Sequence, residues 1–192
     1  LGLDLIYFSI PCNEKDFEIV IQSLSKINCK GVNLTIPYKE KGLNYCNKIS
    51  PVAEKIKAVN TLKPDGKGKW NGINTDVEGL IYPLKKLNLV DKQAIILGSG
   101  GAARSAIQGL INLKMSKIIV ISRNQIALKS LLNDFKDENL IEGVSLNNPN
   151  ILSLINTMDL IINTTPVGMM KNPNDKEALP FGNNFWTSLN SK

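Results

Sequence analysis

The stretch "ILGSGGAARSA", residues 96–106, decides how the rest of the chain is read. The apolar run "QAIILG", residues 93–98, leads into it, and a helix-forming segment rich in alanine leads out. Gly98, Gly100 and Ala103 match the G-x-G-x-x-G/A fingerprint of a dinucleotide-binding turn in that strand-to-helix setting. Gly98 suits the tight turn, Gly100 lets the backbone approach a pyrophosphate, and Ala103 lets the helix lie close to the strand. The unpaired N–H groups and partial positive charge of the helix start are suited to hold the phosphates.

The elements that follow extend the pattern. "KIIVISR" (117–123) and "MDLIINTT" (158–165) are further apolar strands, and "QIALKSLLNDF" (125–135) reads as a helix. Apolar strands alternating with helices predict a parallel sheet covered on both faces. At the end of the second strand an NAD site usually carries an acid for the ribose 2′-OH. Here the strand ends "VISRN", with no acid. Arg123 offers a planar guanidinium suited to adenine and a 2′-phosphate, flanked by Ser122 and Asn124. NADP is therefore the expected cofactor.

Upstream, the alternation is less regular. "DLIYFSIP" (4–11) and "GVNLTIP" (31–37) read as strands. Between them Asn13 is expected to cap a helix with Phe17, Val20, Ile21, Leu24 and Ile27 at helical spacing. A short helix is expected after Lys39. "AVNTLKPDGKGKWNGINTD" (58–76) predicts a hairpin about the turn "PDGKGK". From Asp76 a further helix carries Val77, Leu80, Ile81, Leu84 and Leu87 on one face, with Pro83 set to bend or interrupt it. The boundary between the two parts is expected near "NLVDKQ" (88–93), giving domains 1–88 and 89–192.

Composition narrows the function. The chain has 192 residues, 43% of them hydrophobic, enough for a real core. No apolar run approaches membrane-span length and no secretory signal is visible. The net charge of +6 is spread along the chain, which fits anionic small molecules better than nucleic acid. Cys12, Cys29 and Cys46 share no metal-type spacing, so no metal site is expected and reduced thiols in a cytoplasm are the simplest account. There is no histidine. Acid–base chemistry must fall to Lys, Asp, Glu, Tyr or Cys. Lys39 stands where an apolar strand empties into a loop, and Asp76 opens a helix, where alone it reads as a good N-cap.

Together "NLTIPYKE", "AVNTL", "GINTDVEG", "ILGSGGAARSA", "ISRN" and "INTTPVGM" occur in the order and spacing of shikimate dehydrogenases, and the chain resembles that family over nearly its whole length. The resemblance implies an α/β enzyme with an N-terminal mixed α/β substrate domain and a Rossmann-like parallel-sheet NADP-binding domain across a cleft. It implies NADPH-dependent reduction of 3-dehydroshikimate to shikimate, in the cytoplasm, as part of aromatic amino-acid biosynthesis, with a homodimer compatible with it. An NAD-using quinate/shikimate dehydrogenase and a non-catalytic ligand-binding relative are the alternatives.

By motif, Lys39 and Asp76 resemble the catalytic pair, and Thr35, Lys39, Asn60 and Asp76 the partners of the substrate hydroxyls. Gly98, Ser99, Gly100, Gly101 and Ala102 resemble the pyrophosphate loop, Ser122, Arg123 and Asn124 the 2′-phosphate clamp, and Thr165 a neighbour of the nicotinamide. The chain opens almost directly in a strand-like run, ends "FWTSLNSK", and lacks the family's N-terminal Ser-x-Ser motif and C-terminal helix. It is therefore expected to be part of a longer protein.

Overall fold

The computed structural model describes residue 2 and residues 4–168. Met169 of the "INTTPVGM" motif and the "FWTSLNSK" segment lie outside the described residues. Contacts divide the chain into two compact units, Leu1–Asn74 and Thr75–Lys192.

The first unit holds α1 (Phe17–Lys26), β1 (Val32–Asn33), α2 (Tyr38–Lys41), a 3₁₀ turn (Gly42–Tyr45), β2 (Cys46–Ile49), α3 (Pro51–Ile56), β3 (Thr61–Pro64) and β4 (Trp70–Ile73). Its sheet runs β1-β3-β4-β2. β1–β3 and β3–β4 are antiparallel, and β2–β4 is parallel. The expected hairpin is β3–β4, and its turn is closed by Asp65, whose Oδ1 accepts the N–H groups of Lys67 and Lys69. Phe17 and Ile21 of α1 meet Leu34, Ala53, Val59, Leu62 and Trp70 in one apolar cluster. The Trp70 indole N–H donates to the Ile21 carbonyl at 3.1 Å, so this large side chain is buried without stranding its donor.

Three readings of this region differ from the structure. The expected strand at 4–11 is not one: residues 4–10 have no regular structure, and Ile6, Tyr7 and Phe8 are exposed. Among the described residues no strand pairs with this segment, and β-propensity without a ladder leaves the backbone groups to water. α1 begins at Phe17, with Asp16 as N-cap, and Asn13 instead accepts the Asp16 N–H through its main-chain carbonyl. β1 is only two residues long. Nothing in the sequence reading anticipated β2 or α3, although Ser50 and Pro51 carry the start signal. The Ser50 side chain accepts the Ala53 N–H, and Pro51 fills the first helical turn.

The second unit holds α4 (Asp76–Leu84), β5 (Gln93–Leu97), α5 (Gly101–Asn112), β6 (Lys117–Ser122), α6 (Gln125–Asp134), β7 (Ile141–Ser145), α7 (Ile151–Ile155) and β8 (Leu160–Asn163). The sheet order is β7-β6-β5-β8, with every pairing parallel. Ile95, Leu97, Ile119 and Ile121 face Ile151 and Ile155 of α7. Ile96, Ile118 and Val120, which alternate with them along the strands, are equally buried. This is the parallel sheet expected from the continuous apolar runs. Pro83 within α4 donates no N–H to the Gly79 carbonyl, and the helix ends at Leu84. It packs on α5 and so groups with the second unit, whereas the motif-based boundary near 88 assigned it to the first.

Candidate active site

In the first unit three candidate residues are brought together by main-chain hydrogen bonds. Thr35 follows β1, and its carbonyl accepts the Tyr38 N–H at 2.8 Å, turning the chain into α2. Lys39 is the second residue of α2. Its carbonyl accepts the Val59 N–H at 2.8 Å, and the Asn60 carbonyl accepts the Leu34 N–H, also at 2.8 Å. Thr35 and Lys39 therefore sit on one turn that is stitched beside the segment carrying Asn60. Lys39 lies inside a helical turn, so the strand end is carried by Thr35 instead. Asn60 is buried, and its Oδ1 accepts the Thr61 hydroxyl at 3.0 Å. Thr35 is exposed and Lys39 half-buried.

Cys46 of β2 is half-buried, and burial pushes its thiol up to about 11. It is a neutral packing group under Gly72, not a nucleophile.

Asp76 belongs to the second unit, as the first residue of α4. The N-cap is Thr75, so the plain capping reading of Asp76 moves one position along the chain.

The glycine loop joins β5 to α5. Gly98 has φ +107°, and a Cβ added there would meet Thr164 Oγ1 at 2.7 Å and Thr165 Cγ2 at 3.1 Å. Only glycine tolerates both the backbone and the neighbours. The same measurement puts Thr165 beside the loop. Gly100 is the N-cap of α5, in extended backbone, and a Cβ there would meet nothing of the protein within 4 Å. That open space lies before a helix start with no acid in its first turn and no side chain capping it. The protein does not need glycine there for its own packing. A phosphate approaching the backbone does, so the loop fits a pyrophosphate. Ala103 is fully buried, as the fingerprint requires. The next residue, Arg104, pairs with Asp134 of α6 at 2.7 Å in the interior.

The three residues at the end of β6 divide by task. Ser122 is buried, and its hydroxyl lies 2.8 Å from that of Ser99, linking the glycine loop to the neighbouring strand end. It also accepts the Asn124 N–H at 3.2 Å. The Asn124 Oδ1 accepts from Ile126 and Ala127, capping α6. Arg123 is exposed. Of this trio, Arg123 presents its side chain to solvent without serving the local fold.

Two residues near the loop escaped the sequence reading. Thr164 Oγ1 donates to the Leu97 carbonyl at 2.6 Å, closing the end of β5. Asn163 Oδ1 accepts both the N–H and the hydroxyl of Thr165, and its Nδ2 donates to the Val167 carbonyl. The Asn-Thr-Thr-Pro run carries Asx-turn chemistry that marks such a loop. Among the described residues no group of three or more His, Cys, Asp or Glu is placed to hold a metal ion. No helix among them is long and apolar enough to cross a membrane.

Comparison with known proteins adds a separate line. Residues 1–62 match the shikimate dehydrogenase substrate binding domain, and residues 83–170 match shikimate / quinate 5-dehydrogenase. The chain is 55% identical over 192 residues to "Shikimate dehydrogenase (NADP(+))" of Prochlorococcus marinus (strain MIT 9215), covering all of this chain and 67% of that protein. Among solved structures, shikimate dehydrogenase from Aquifex aeolicus matches with TM-score 0.72 and 30% identity, over 88% of this chain and 60% of that one. Shikimate 5-dehydrogenase from Thermus thermophilus, in complex with NADP(H) and shikimate, matches with TM-score 0.66 and 28% identity, over 82% and 56%. The chain thus spans about two thirds of the length of the curated relatives it matches.

Proposed function

The chain belongs to the shikimate dehydrogenase family, NADP-dependent oxidoreductases of aromatic amino-acid biosynthesis, and we propose that Lys39 and Asp76 carry the proton chemistry of that reaction in this protein. The observation that supports this most is the stitching of Thr35, Lys39 and Asn60 by main-chain hydrogen bonds. It brings together segments that carry a lysine, a threonine and an asparagine, residue types suited to a polyhydroxylated ring.

Reduction of a ketone needs a hydride on carbon and a proton on oxygen. NADPH, when bound, supplies the hydride. The Lys39 ammonium stabilises the negative charge that develops on the ketone oxygen and releases a proton to it. The Asp76 carboxylate is the second group of the proposed proton transfer. Thr35 and Asn60 hydrogen-bond the substrate hydroxyls. They hold the ring so that the oxygen meets Lys39, which shortens the search for a reactive geometry.

On the cofactor side, the N–H groups at the start of α5, with Gly98, Ser99, Gly100, Gly101 and Ala102, receive the pyrophosphate. The open space at Gly100 supports this. Arg123 carries the contact to the 2′-phosphate, while Ser122 and Asn124 shape the loop that presents it. Thr165 flanks the nicotinamide half, supported by its approach to Gly98. The curated relatives carry NADP(+) in their names, which disfavours the NAD-using quinate alternative. Retention of both Lys39 and Asp76 disfavours a non-catalytic relative. The unpaired thiols of Cys12, Cys29 and Cys46 support a reducing, cytoplasmic setting.

The test is an absorbance assay of NADPH formation from shikimate and NADP with the full-length protein, run beside arms with quinate and with NAD. Turnover with shikimate and NADP, exceeding the other three combinations, is the expected result. Faster turnover of quinate with NAD, or none in any arm, overturns the assignment.

A further inference from the structure

Helix α2, which carries Lys39, is four residues long, has no side-chain cap and buries none of its residues. So short a helix has no stability of its own, and its orientation must come from its neighbours. Two of its side chains reach the segment before and at the start of α1. The Tyr38 ring stacks on Phe17, with centroids 4.4 Å apart and planes 12° from parallel. Its phenol O–H donates to the Cys12 main-chain carbonyl. Phe17 is itself fixed: it is buried in the core and meets Tyr45 edge-on at 5.6 Å. Lys41 pairs with Glu14, but both are well exposed, and an exposed pair holds little. Partial burial raises the Tyr38 phenol above its ordinary pKa, with Cys12 and Glu14 acting in the same sense, so it remains a donor at neutral pH.

We propose that Tyr38 is a positioning residue for Lys39, its ring and hydroxyl clamping α2 to Phe17 and Cys12 so that the adjacent ammonium is aimed at the reacting oxygen. Successive helical residues point about 100° apart, so a Tyr38 drawn onto Phe17 sets the direction left to Lys39. The Val59 N–H bond to the Lys39 carbonyl holds the other side of the turn. Main chain and phenol together leave α2 one orientation. This inference rests on the catalytic reading of Lys39.

The experiment compares Tyr38→Phe, Phe17→Leu and Lys39→Ala in the full-length protein. Tyr38→Phe keeps the stacked ring and removes only the hydroxyl. It is expected to lower kcat roughly 3- to 10-fold, the worth of one hydrogen bond, with KM for shikimate and NADP within about twofold and an unchanged melting temperature. Phe17→Leu, which removes the stacking partner, lowers kcat further. In both variants the solvent deuterium isotope effect on kcat rises, because a misaimed ammonium slows proton transfer. A loss of folded protein lowers activity without moving that isotope effect. Unchanged kcat in Tyr38→Phe overturns the clamp, as does a fall that tracks lost circular dichroism with the isotope effect of the parent. Near-normal turnover in Lys39→Ala overturns the catalytic reading itself. An inactive Lys39→Ala beside an unaffected Tyr38→Phe overturns only the clamp.

Discussion

The two units hold their candidate residues in opposite ways. In the second, one short stretch of chain makes the site. β5 ends at Leu97, Gly98 turns, Gly100 opens α5, and the groups proposed to meet the phosphates are consecutive main-chain N–H donors. In the first, Thr35 and Lys39 share one turn, while Asn60 comes from a later segment of the chain. They meet through single hydrogen bonds, Val59 to Lys39 and Leu34 to Asn60, between short, half-exposed segments. A locally encoded site is robust to changes elsewhere and sensitive to backbone freedom. An assembled site is sensitive to the anchors of each piece. Binding of a cofactor common to many enzymes suits the first arrangement, and discrimination of one substrate suits the second.

The sharpest way to test that contrast is Lys39→Ala. It removes one side chain from the assembled site and leaves the loop untouched. Turnover is expected to fall roughly 10²- to 10⁴-fold, with cofactor binding measured by fluorescence titration unchanged. Normal turnover would place the chemistry elsewhere.

Arg123→Ala probes the other unit. Loss of a charged hydrogen bond of about 1.5–3 kcal/mol is expected to weaken NADP roughly 10- to 100-fold and NAD far less. Equal weakening of both cofactors in steady-state assays would remove Arg123 from the 2′-phosphate.

The two loop glycines separate packing from ligand approach. Gly98→Ala meets positive φ and Thr164, and is expected to cost about 1–3 kcal/mol in a denaturant melt as well as cofactor binding. Gly100→Ala meets open space, so it is expected to melt with the parent and yet bind NADP poorly. A Gly100→Ala protein with normal cofactor affinity would break the assignment of that space to the pyrophosphate.

Smaller effects lie at the strand ends of the second unit. Asn124→Ala removes the α6 cap, worth about 1 kcal/mol by thermal melting. Asp159 accepts the Gln93 N–H at 2.9 Å, and this bond, then Lys92, holds its carboxyl below the usual range. A depressed carboxyl contributes stability above its unfolded pKa and loses it as pH falls through the folded value. Asp159→Asn is therefore expected to flatten the acid side of the melting profile slightly; an unchanged profile would show the contact to be neutral.

Sequence and structure agree best where physics is local. The runs at 93–97, 117–122 and 160–163 are continuous and apolar because both faces of a parallel sheet are covered, and each was legible as a strand. The segment at 4–11 has the same apolar character and forms no strand, because a ladder needs a partner that residue type cannot supply. β2 was missed for the converse reason: Cys-Asn-Lys-Ile has no strong pattern and is a strand only because β4 pairs with it.

The linear order of residues determined the parallel sheet, the turn at Gly98, and the identity of Lys39, Asp76 and Arg123 as candidates, since each follows from local backbone freedom, side-chain chemistry or a motif read along the chain. Tertiary structure alone decided that Ser122 is tied to Ser99 of the glycine loop, and that Tyr38 leans on Phe17 and Cys12. Those outcomes depend on which groups meet across space, and hydrogen bonds between distant segments leave no mark on neighbouring letters of the sequence.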